Sequence, residues 1–189
     1  TGCIDVRPYG LISHAIWRSN SICIFIENMY NMDMNIAYSD KPLVVEKNSI
    51  FLAGPTPRTT DVKSWRPKAI QVLEELEYKG QVIVPERENW EGTDYLEQVE
   101  WENIGLNECA AIVFWVPRDL DTMPAFTTNV EFGRFCQDPR TLYGRPEDSP
   151  NNRYLDWLYK KFLNRRPSTL LCNLMTDAFD LATWGVIGK

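Results

Sequence analysis

The sequence predicts an α/β fold in which helices cover both faces of a parallel sheet. Short apolar segments, typical of buried strands, alternate along the chain with longer segments whose apolar residues recur at helical spacing. The strand segment 110–117 is almost continuously apolar, as expected for a strand covered on both faces. Because strand–helix–strand units connect through right-handed crossovers, we expect a three-layer α/β sandwich.

Four short apolar segments predict the strands of this sheet. In chain order they are SIFLAGP at 49–55, QVIVPE at 81–86, AAIVFWVP at 110–117 and RTLYGRP at 140–146. Each run stops where glycine, proline or a charged residue appears, as Gly54 and Pro55 show for the first strand. The short runs and their spacing favour strands over helices.

Five segments with helical spacing follow or separate these strands. They cover residues 62–80, 93–110, 127–137, 151–163 and 168–184. In the first, Pro67 falls in the opening turn, where proline is tolerated, and Gly80 is a stop signal. The second has Thr93 or Asp94 as its N-cap. For the last segment, a strand followed by a helix is the alternative to a single helix.

The two ends of the chain lie outside this alternation. We predict an N-terminal extension over residues 1–40, a central domain over 41–165 and a C-terminal helical tail over 166–189. Two interpretations of the extension stay open. SICIFI, at 21–26, has the composition of a strand. Alternatively, translation starts naturally at one of the methionines in NMYNMDMN, and the residues before it are extra sequence.

Composition excludes several classes of function. The formal net charge of -6 argues against binding to a nucleic-acid backbone, which needs an excess of Lys and Arg. The five cysteines form no CxxC pair and the only histidine is His14, so we expect no metal site and no cofactor. We interpret the cysteines as reduced thiols of a cytoplasmic protein. No apolar run approaches the roughly 20 residues that a membrane span needs.

Three loops follow predicted strands and are expected at one edge of the sheet. They are AGPTPRTT, VPERENWEG and VPRDLDTMPAF. Ligands of parallel α/β folds bind at the carboxyl ends of the strands. Gly54 lets the backbone approach a ligand closely, although an ordinary strand-end turn explains it equally well. The loop matches neither GxGxxG nor GxxxxGK[ST], so dinucleotide and Walker-type phosphate motifs are missing from it.

Carboxylates near this edge are the candidates for chemistry. Glu131 lies near the start of a predicted helix, where the helix N-terminus favours the ionised form and lowers the pKa. Of Glu100 and Glu102, only one can face the edge, because residues two apart point about 200° apart on a helix. Two carboxyl groups that face one pocket are the usual equipment for cleaving a bond to an anomeric carbon. The structural alternative is a capping carboxylate and two solvated glutamates.

A set of motifs, in order, resembles a known family. The motifs are IFLAGPTPR, SWRPKAI, VIVPE, QVEWE, CAAIVFWVPR, TTNVEFG and YGRPEDSPNNRYLDWL, over about residues 49–158. Together they resemble the nucleoside 2-deoxyribosyltransferase-like family. The resemblance implies a doubly wound, flavodoxin-like sheet and an enzyme of nucleotide salvage. Its implied reaction exchanges the base of a 2'-deoxynucleoside through a covalent deoxyribosyl-glutamate intermediate. The implied partners are the deoxynucleoside, a free base and further copies of the chain in a homo-oligomer.

The resemblance also implies roles for individual residues. Glu131, in VEFG, takes the place of the nucleophile, and Glu102 takes that of an acidic residue which is usually Asp in the family. Gly54 and Pro55 match the first-strand loop that lines the sugar and base pocket. The chain departs from the pattern at Ala125, where many transferases have an Asp that handles the base.

Three further residues are predicted to bind the substrate. Asn129 is close to the nucleophile and suits a hydrogen bond to the base or a sugar hydroxyl. Arg58 and Arg118 lie in the edge loops, and Arg145 follows the last strand. If two of these arginines converge, a 5'-phosphate can bind, because Arg contacts phosphate through two parallel hydrogen bonds.

Two other functions remain alternatives to the transferase. The first is an N-glycoside hydrolase of the same fold, acting on deoxynucleosides or deoxynucleotides, in which water replaces the second base. The second is a non-enzymatic nucleotide-binding module. Base exchange separates the transferase from the hydrolase, and turnover separates both from the binding module.

Overall fold

A sheet of five parallel strands forms the centre of the protein in the computed structural model, which describes residues 33–87 and 94–187. The strands are β1 (Asn35–Tyr38), β2 (Ser49–Ala53), β3 (Gln81–Val84), β4 (Ala111–Trp115) and β5 (Thr141–Gly144). Their spatial order is β1-β3-β2-β4-β5, and every neighbouring pair is parallel. The predicted α/β sheet is confirmed.

The order of the strands creates a topological switch point between β2 and β4. From β2 the chain moves to β3 on one side, then crosses back over β2 to reach β4 on the other side. The register of this central pair runs from Ile50 opposite Ala111 to Ala53 opposite Phe114. In doubly wound folds a crevice opens at the carboxyl ends of strands that flank such a point.

Five helices within the described residues form the outer layers, and all five were predicted. They are α1 (Arg66–Glu75), α2 (Tyr95–Glu108), α3 (Phe126–Phe135), α4 (Arg153–Leu163) and α5 (Leu171–Trp184). Buried side chains of α1 and α5 share one core cluster with the sheet, and those of α2, α3 and α4 share the other. Residues 171–184 form a single helix, which decides between the two predictions for that segment.

Strand β2 shows why the strand segments are continuously apolar. Ile50 and Leu52 belong to the core with α1 and α5, whereas Phe51 and Ala53 belong to the core with α2, α3 and α4. Successive side chains of a strand point to opposite faces, so a strand covered on both faces favours apolar residues at successive positions. All four of these side chains are at most 1% exposed.

Local signals set the ends of the helices. Helix α2 begins after Asp94, whose carboxylate accepts a hydrogen bond from the Leu96 backbone N–H, whereas Thr93 lies outside the described residues. Pro67 occupies the first turn of α1, as predicted. Helix α5 ends at Gly185, which takes the left-handed conformation with φ 69°. Glycine commonly ends helices in this way because it lacks a Cβ.

The ends of the described chain contribute to the sheet and its core. Strand β1, which we did not predict, lies within the range assigned to the N-terminal extension and pairs with β3. The alternative strand at 21–26 lies outside the described residues. In the predicted tail, Leu174, Met175 and Ala178 of α5 are buried in the core with α1. Within residues 33–87 and 94–187, no helix has the length and apolar character that crossing a membrane requires.

Gly54, directly after β2, brings two backbone segments into close approach. Its φ is 149°, a conformation that other residues rarely adopt, and a Cβ built there would lie 2.2 Å from the carbonyl oxygen of Trp115. The ring of Trp65 would lie 2.9 Å from the same Cβ. The end of β2 therefore depends on glycine for both its conformation and its space.

We expect Gly54→Ala to lower the free energy of unfolding by at least about 2 kcal/mol, because the new methyl group meets backbone and the φ is strained. Gly133→Ala is the matched control, since a Cβ there meets nothing within 4 Å and the residue lies inside α3. The control should gain about 0.5–1 kcal/mol from helix propensity. Urea unfolding of both variants measures the difference, and equal effects would contradict the close approach.

Candidate active site

A cavity of about 440 Å³ lies at the carboxyl ends of β2 and β3, beside the topological switch point. Its lining comes from the loop after β2, the first turns of α2, and the loop and first turns that begin α3. The polar and charged lining residues include Thr56, Arg58, Arg66, Gln98, Glu102 and Glu131. A volume of this size is within the range of small-molecule sites.

Two glutamates face each other in this cavity. Glu102 on α2 and Glu131 on α3 both line it, and their carboxyl groups are close enough to share a hydrogen bond. Two carboxyl groups can form such a bond only when one of them carries a proton. A shared hydrogen bond would leave the pair with one proton and one negative charge.

Burial is the main reason why this proton is retained. Burial first, and then the charge of Glu102 and a hydrogen bond with it, raise the pKa of Glu131 to about 7 against the opposing charges of Arg66 and Arg134. Burial also raises the pKa of Glu102, against the effects of Gln98, Arg66 and Glu131. A buried carboxyl beside a second carboxyl keeps its proton to higher pH than one in water.

The predicted lowering of the pKa of Glu131 is therefore wrong in direction. Glu131 lies in the second turn of α3, beyond the free N–H groups of the helix start at Phe126. The effect of the helix N-terminus falls off within the first turn. Burial and the neighbouring carboxyl group therefore outweigh it.

Helix α2 presents Glu102, rather than Glu100, to the cavity. Glu100 is exposed, whereas Glu102 is partly buried and lines the cavity. This confirms that only one of the two can face the sheet edge. One turn before Glu102, Gln98 Nε2 donates a hydrogen bond of 2.7 Å to Glu102 Oε1. Arg87 Nε in turn donates to Gln98 Oε1 at 2.8 Å, so the amide is oriented from both sides.

Helix α3 is fixed by its buried face, which sets the direction of Glu131. Phe132 is fully buried, and its ring packs edge-on against Phe114 of β4 with ring centroids 5.2 Å apart. Thr128 and Glu131 lie three residues apart and both line the cavity. Residues at this spacing share one side of a helix.

Arg66, the first residue of α1, is the fully buried cation of the site. Its Nε donates to the carbonyl oxygen of Leu52 at 3.0 Å, and its Nη2 donates to that of Gly54 at 2.7 Å. Its Nη1 donates to Thr56 Oγ1 at 3.1 Å and to Glu86 Oε1 at 2.6 Å. Sequence reasoning missed Arg66 as a site residue. The available signal was an arginine beside the helix-starting proline in SWRP, directly after a strand-end loop.

The structure brings most of the predicted site residues together. Gly54, Pro55 and Arg58 line the same cavity as the two glutamates. The guanidinium of Arg58 lies over the ring of Phe126, with its carbon 5.4 Å from the ring centroid. Ala125, at the position where many transferases have Asp, also lines the cavity.

Arg118 and Asn129 are not among the residues that line this cavity. Arg118 Nη2 donates to Asn129 Oδ1 at 2.6 Å, and Nη1 donates to the carbonyl oxygen of Pro124 at 3.2 Å. Arg118 is itself buried. The two residues clamp the loop before α3, including Ala125, which has the left-handed conformation with φ 61°. This clamp supports the strained start of the helix that bears Glu131.

The three loop arginines considered for phosphate binding do not converge. Arg58 lines the cavity, and Arg118 is engaged by Asn129. Arg145 forms an ion pair with Asp156 at 2.8 Å between Nη2 and Oδ2. The predicted bidentate phosphate site made of two arginines is therefore not formed by these residues. Within the described part of the chain, no cluster of His, Cys, Asp or Glu is arranged to hold a metal ion.

Comparison with known families identifies the family of the chain. The profile described as nucleoside 2-deoxyribosyltransferase like matches residues 47–149, more than half of the chain. The protein belongs to this family. The matched range includes Arg66, Glu86 and both cavity glutamates, so the family core contains the whole charged cluster. A comparison with curated proteins gives no significant match.

The raised pKa of Glu131 predicts how stability depends on pH. Between about pH 5 and pH 7 the folded protein keeps a proton on Glu131 that the unfolded chain has released. The free energy of unfolding therefore falls as the pH rises through this range. Glu131→Gln removes the titration. Relative to the wild type, the variant should therefore gain on the order of 2 kcal/mol between about pH 5 and pH 8.

Urea unfolding followed by circular dichroism at both pH values measures this gain. Glu100→Gln is the control, because Glu100 lies on α2 but is exposed and should leave the pH dependence unchanged. Parallel pH dependence in the wild type and Glu131→Gln would show that Glu131 is ordinarily ionised.

Proposed function

We propose that the protein transfers a 2-deoxyribosyl group between bases of 2'-deoxynucleosides, with Glu131 as the nucleophile. The observation that carries this proposal is that Glu102 and Glu131 line one cavity of nucleoside size, where burial raises the pKa of both so that the pair can share one proton. Cleavage of an N-glycosidic bond by a carboxylate needs one ionised group to attack and one proton for the leaving base. The pair supplies both.

The first step forms the covalent intermediate. When the deoxynucleoside displaces the direct contact between the carboxyl groups, the shared proton passes from Glu131 to Glu102, which leaves Glu131 ionised. An oxygen of Glu131 bonds to C1' of the sugar while the bond from C1' to the base nitrogen breaks. The electron pair of that bond goes to the base, which takes the proton from Glu102. In this role Glu102 supplies the proton that Ala125 cannot.

The second step reverses the first with a different base. A nitrogen of the incoming base bonds to C1', and the bond from C1' to Glu131 breaks, which returns the electron pair to the carboxylate. Glu102 accepts the proton that the incoming base loses. The exchange balances without an oxidant, a reductant or a cofactor.

Burial and Arg66 make this chemistry feasible at the site. A partly desolvated carboxylate attacks a developing cationic sugar carbon more readily than a hydrated one, because it carries no tightly held water. The positive charge of Arg66 lowers the pKa of both Glu102 and Glu131, so the second ionisation remains accessible. The loop of Gly54 and Pro55 forms part of the wall against which the substrate is placed.

Hydrolysis of the same intermediate is the second candidate function. The methyl group of Ala125 lines the cavity where many transferases place the Asp that handles the base. This departure weakens the recognition of an incoming base more than it affects attack on the sugar. Water would then capture the deoxyribosyl-glutamate, with Glu102 as the general base.

We expect intact-protein mass spectrometry to detect a gain of one deoxyribosyl group after incubation with a mixture of 2'-deoxynucleosides. Glu131→Gln should show no gain, because an amide does not form the ester. Glu102→Gln should slow base release by a factor of about 10² to 10⁴, because the leaving base lacks its proton donor. The exposed Glu100→Gln serves as the matched control and should behave as the wild type.

Chromatography of the same reactions separates the candidates. A new deoxynucleoside after addition of a free base supports transfer, whereas free deoxyribose alone supports hydrolysis. If the wild type shows neither an adduct nor released base, the proposed reaction is wrong.

A further inference from the structure

Glu86, just after β3, is joined to the active cavity through another residue. Its Oε1 accepts a hydrogen bond of 2.6 Å from Arg66 Nη1 and one of 2.8 Å from the hydroxyl of Ser64. Glu86 is absent from the lining of the cavity, whereas Arg66 is part of it. Arg66 thus forms an ion pair with a carboxylate outside the cavity lining and lines the cavity together with Glu102 and Glu131.

The remaining bonds of Arg66 hold its guanidinium in place. Two of its nitrogens donate to the strand-end carbonyls of Leu52 and Gly54, and a third bond reaches Thr56. The side chain is 1% exposed, so water cannot compensate its charge. How strongly Arg66 attracts the cavity glutamates therefore depends on what else neutralises it.

We propose that Glu86 is a positioning residue that acts through Arg66: it holds the guanidinium on the strand ends and prevents it from forming a full ion pair with Glu102 and Glu131. The consequence is that the pair retains its shared proton. The importance of this proton for catalysis rests on the proposed function, but the electrostatic role of Glu86 does not.

Charged and titratable groups approach the pair from every element around it. They are Arg66 on α1, Arg134 on α3, Glu86 after β3, Arg87 through its bond to Gln98, and Arg58 and Tyr95 in the cavity lining. Glu86 is the carboxylate that forms an ion pair with the buried Arg66. Its removal is therefore expected to leave a buried cation facing the Glu102–Glu131 pair.

Glu86→Gln tests the role because it removes the charge and keeps the size and a hydrogen-bond acceptor for Arg66 and Ser64. We expect the pair to ionise at a pH lower by about one unit, since an opposite charge nearby favours the carboxylate. Arg66→Gln should shift the ionisation in the opposite direction. Glu74→Gln, on the exposed face of α1, is the matched control and should cause no shift.

Carbon-13 NMR of side-chain carboxyl groups in labelled protein measures the ionisation directly and needs no substrate. The signals of the pair are assigned from Glu102→Gln and Glu131→Gln. Opposite shifts in Glu86→Gln and Arg66→Gln support the proposal. An unchanged midpoint in Glu86→Gln, or a shift of both variants in the same direction, overturns it. If Glu86→Gln does not fold by circular dichroism, Glu86→Asp takes its place: the shorter side chain loosens the bond to Arg66, so the midpoint should again fall, and an unchanged midpoint overturns the proposal.

The pH profile of base release provides the second measurement. In Glu86→Gln, the pH above which base release declines should fall by about the same one pH unit. Above that pH, the activity of the variant should be about tenfold lower than that of the wild type for each pH unit by which the profile moves. An NMR shift without base release from the wild type would retain the role of Glu86 and reject the proposed reaction. Base release with the same pH profile in Glu86→Gln as in the wild type, and no NMR shift, would retain the proposed reaction and reject the role of Glu86.

Discussion

The bonds of Arg66 to the end of β2 are the interaction on which the cavity depends. A buried guanidinium is tolerated only where its donors and its charge are matched, because removal from water costs several kcal/mol. Here strand-end carbonyls, a threonine hydroxyl and Glu86 provide the match. Since Arg66 also begins α1, one side chain joins the end of a central strand, the loop after it and the start of a helix.

The same dependence explains which parts of the fold the sequence predicts well. Strands β2 to β5 are buried on both faces, so their segments contain runs of apolar residues that composition alone reveals. Strand β1 was missed because it lies at the edge of the sheet and is only partly buried, which leaves NIAY without an apolar run. Pairing with β3 stabilises it through backbone hydrogen bonds, which have no sequence signature.

The sequence predicted which loops and helices form the site, but not the pKa values and charge interactions within it. Strand-end loops and helical spacing placed Gly54 and Glu131 at one edge of the sheet but left Glu100 and Glu102 as alternatives, between which the family resemblance selected Glu102. The pKa of Glu131 depends on burial and on a carboxyl group from another helix, neither of which local sequence contains. Similarly, loop position did not reveal that Arg118 bonds to Asn129 away from the cavity lining.

The contact between Gly54 and Trp115 has a consequence for how such an enzyme diversifies. Two backbone segments approach closely there, so side-chain substitution cannot change the shape of the cavity wall beside the sheet. The opposite wall carries Tyr95 and Phe126, which are 71% and 68% exposed and contribute little to the core. Mutations on that side can reshape the cavity at small cost in stability. Changes in what the cavity accepts are therefore expected to arise from α2 and α3, while the strand ends remain a constant part of its wall.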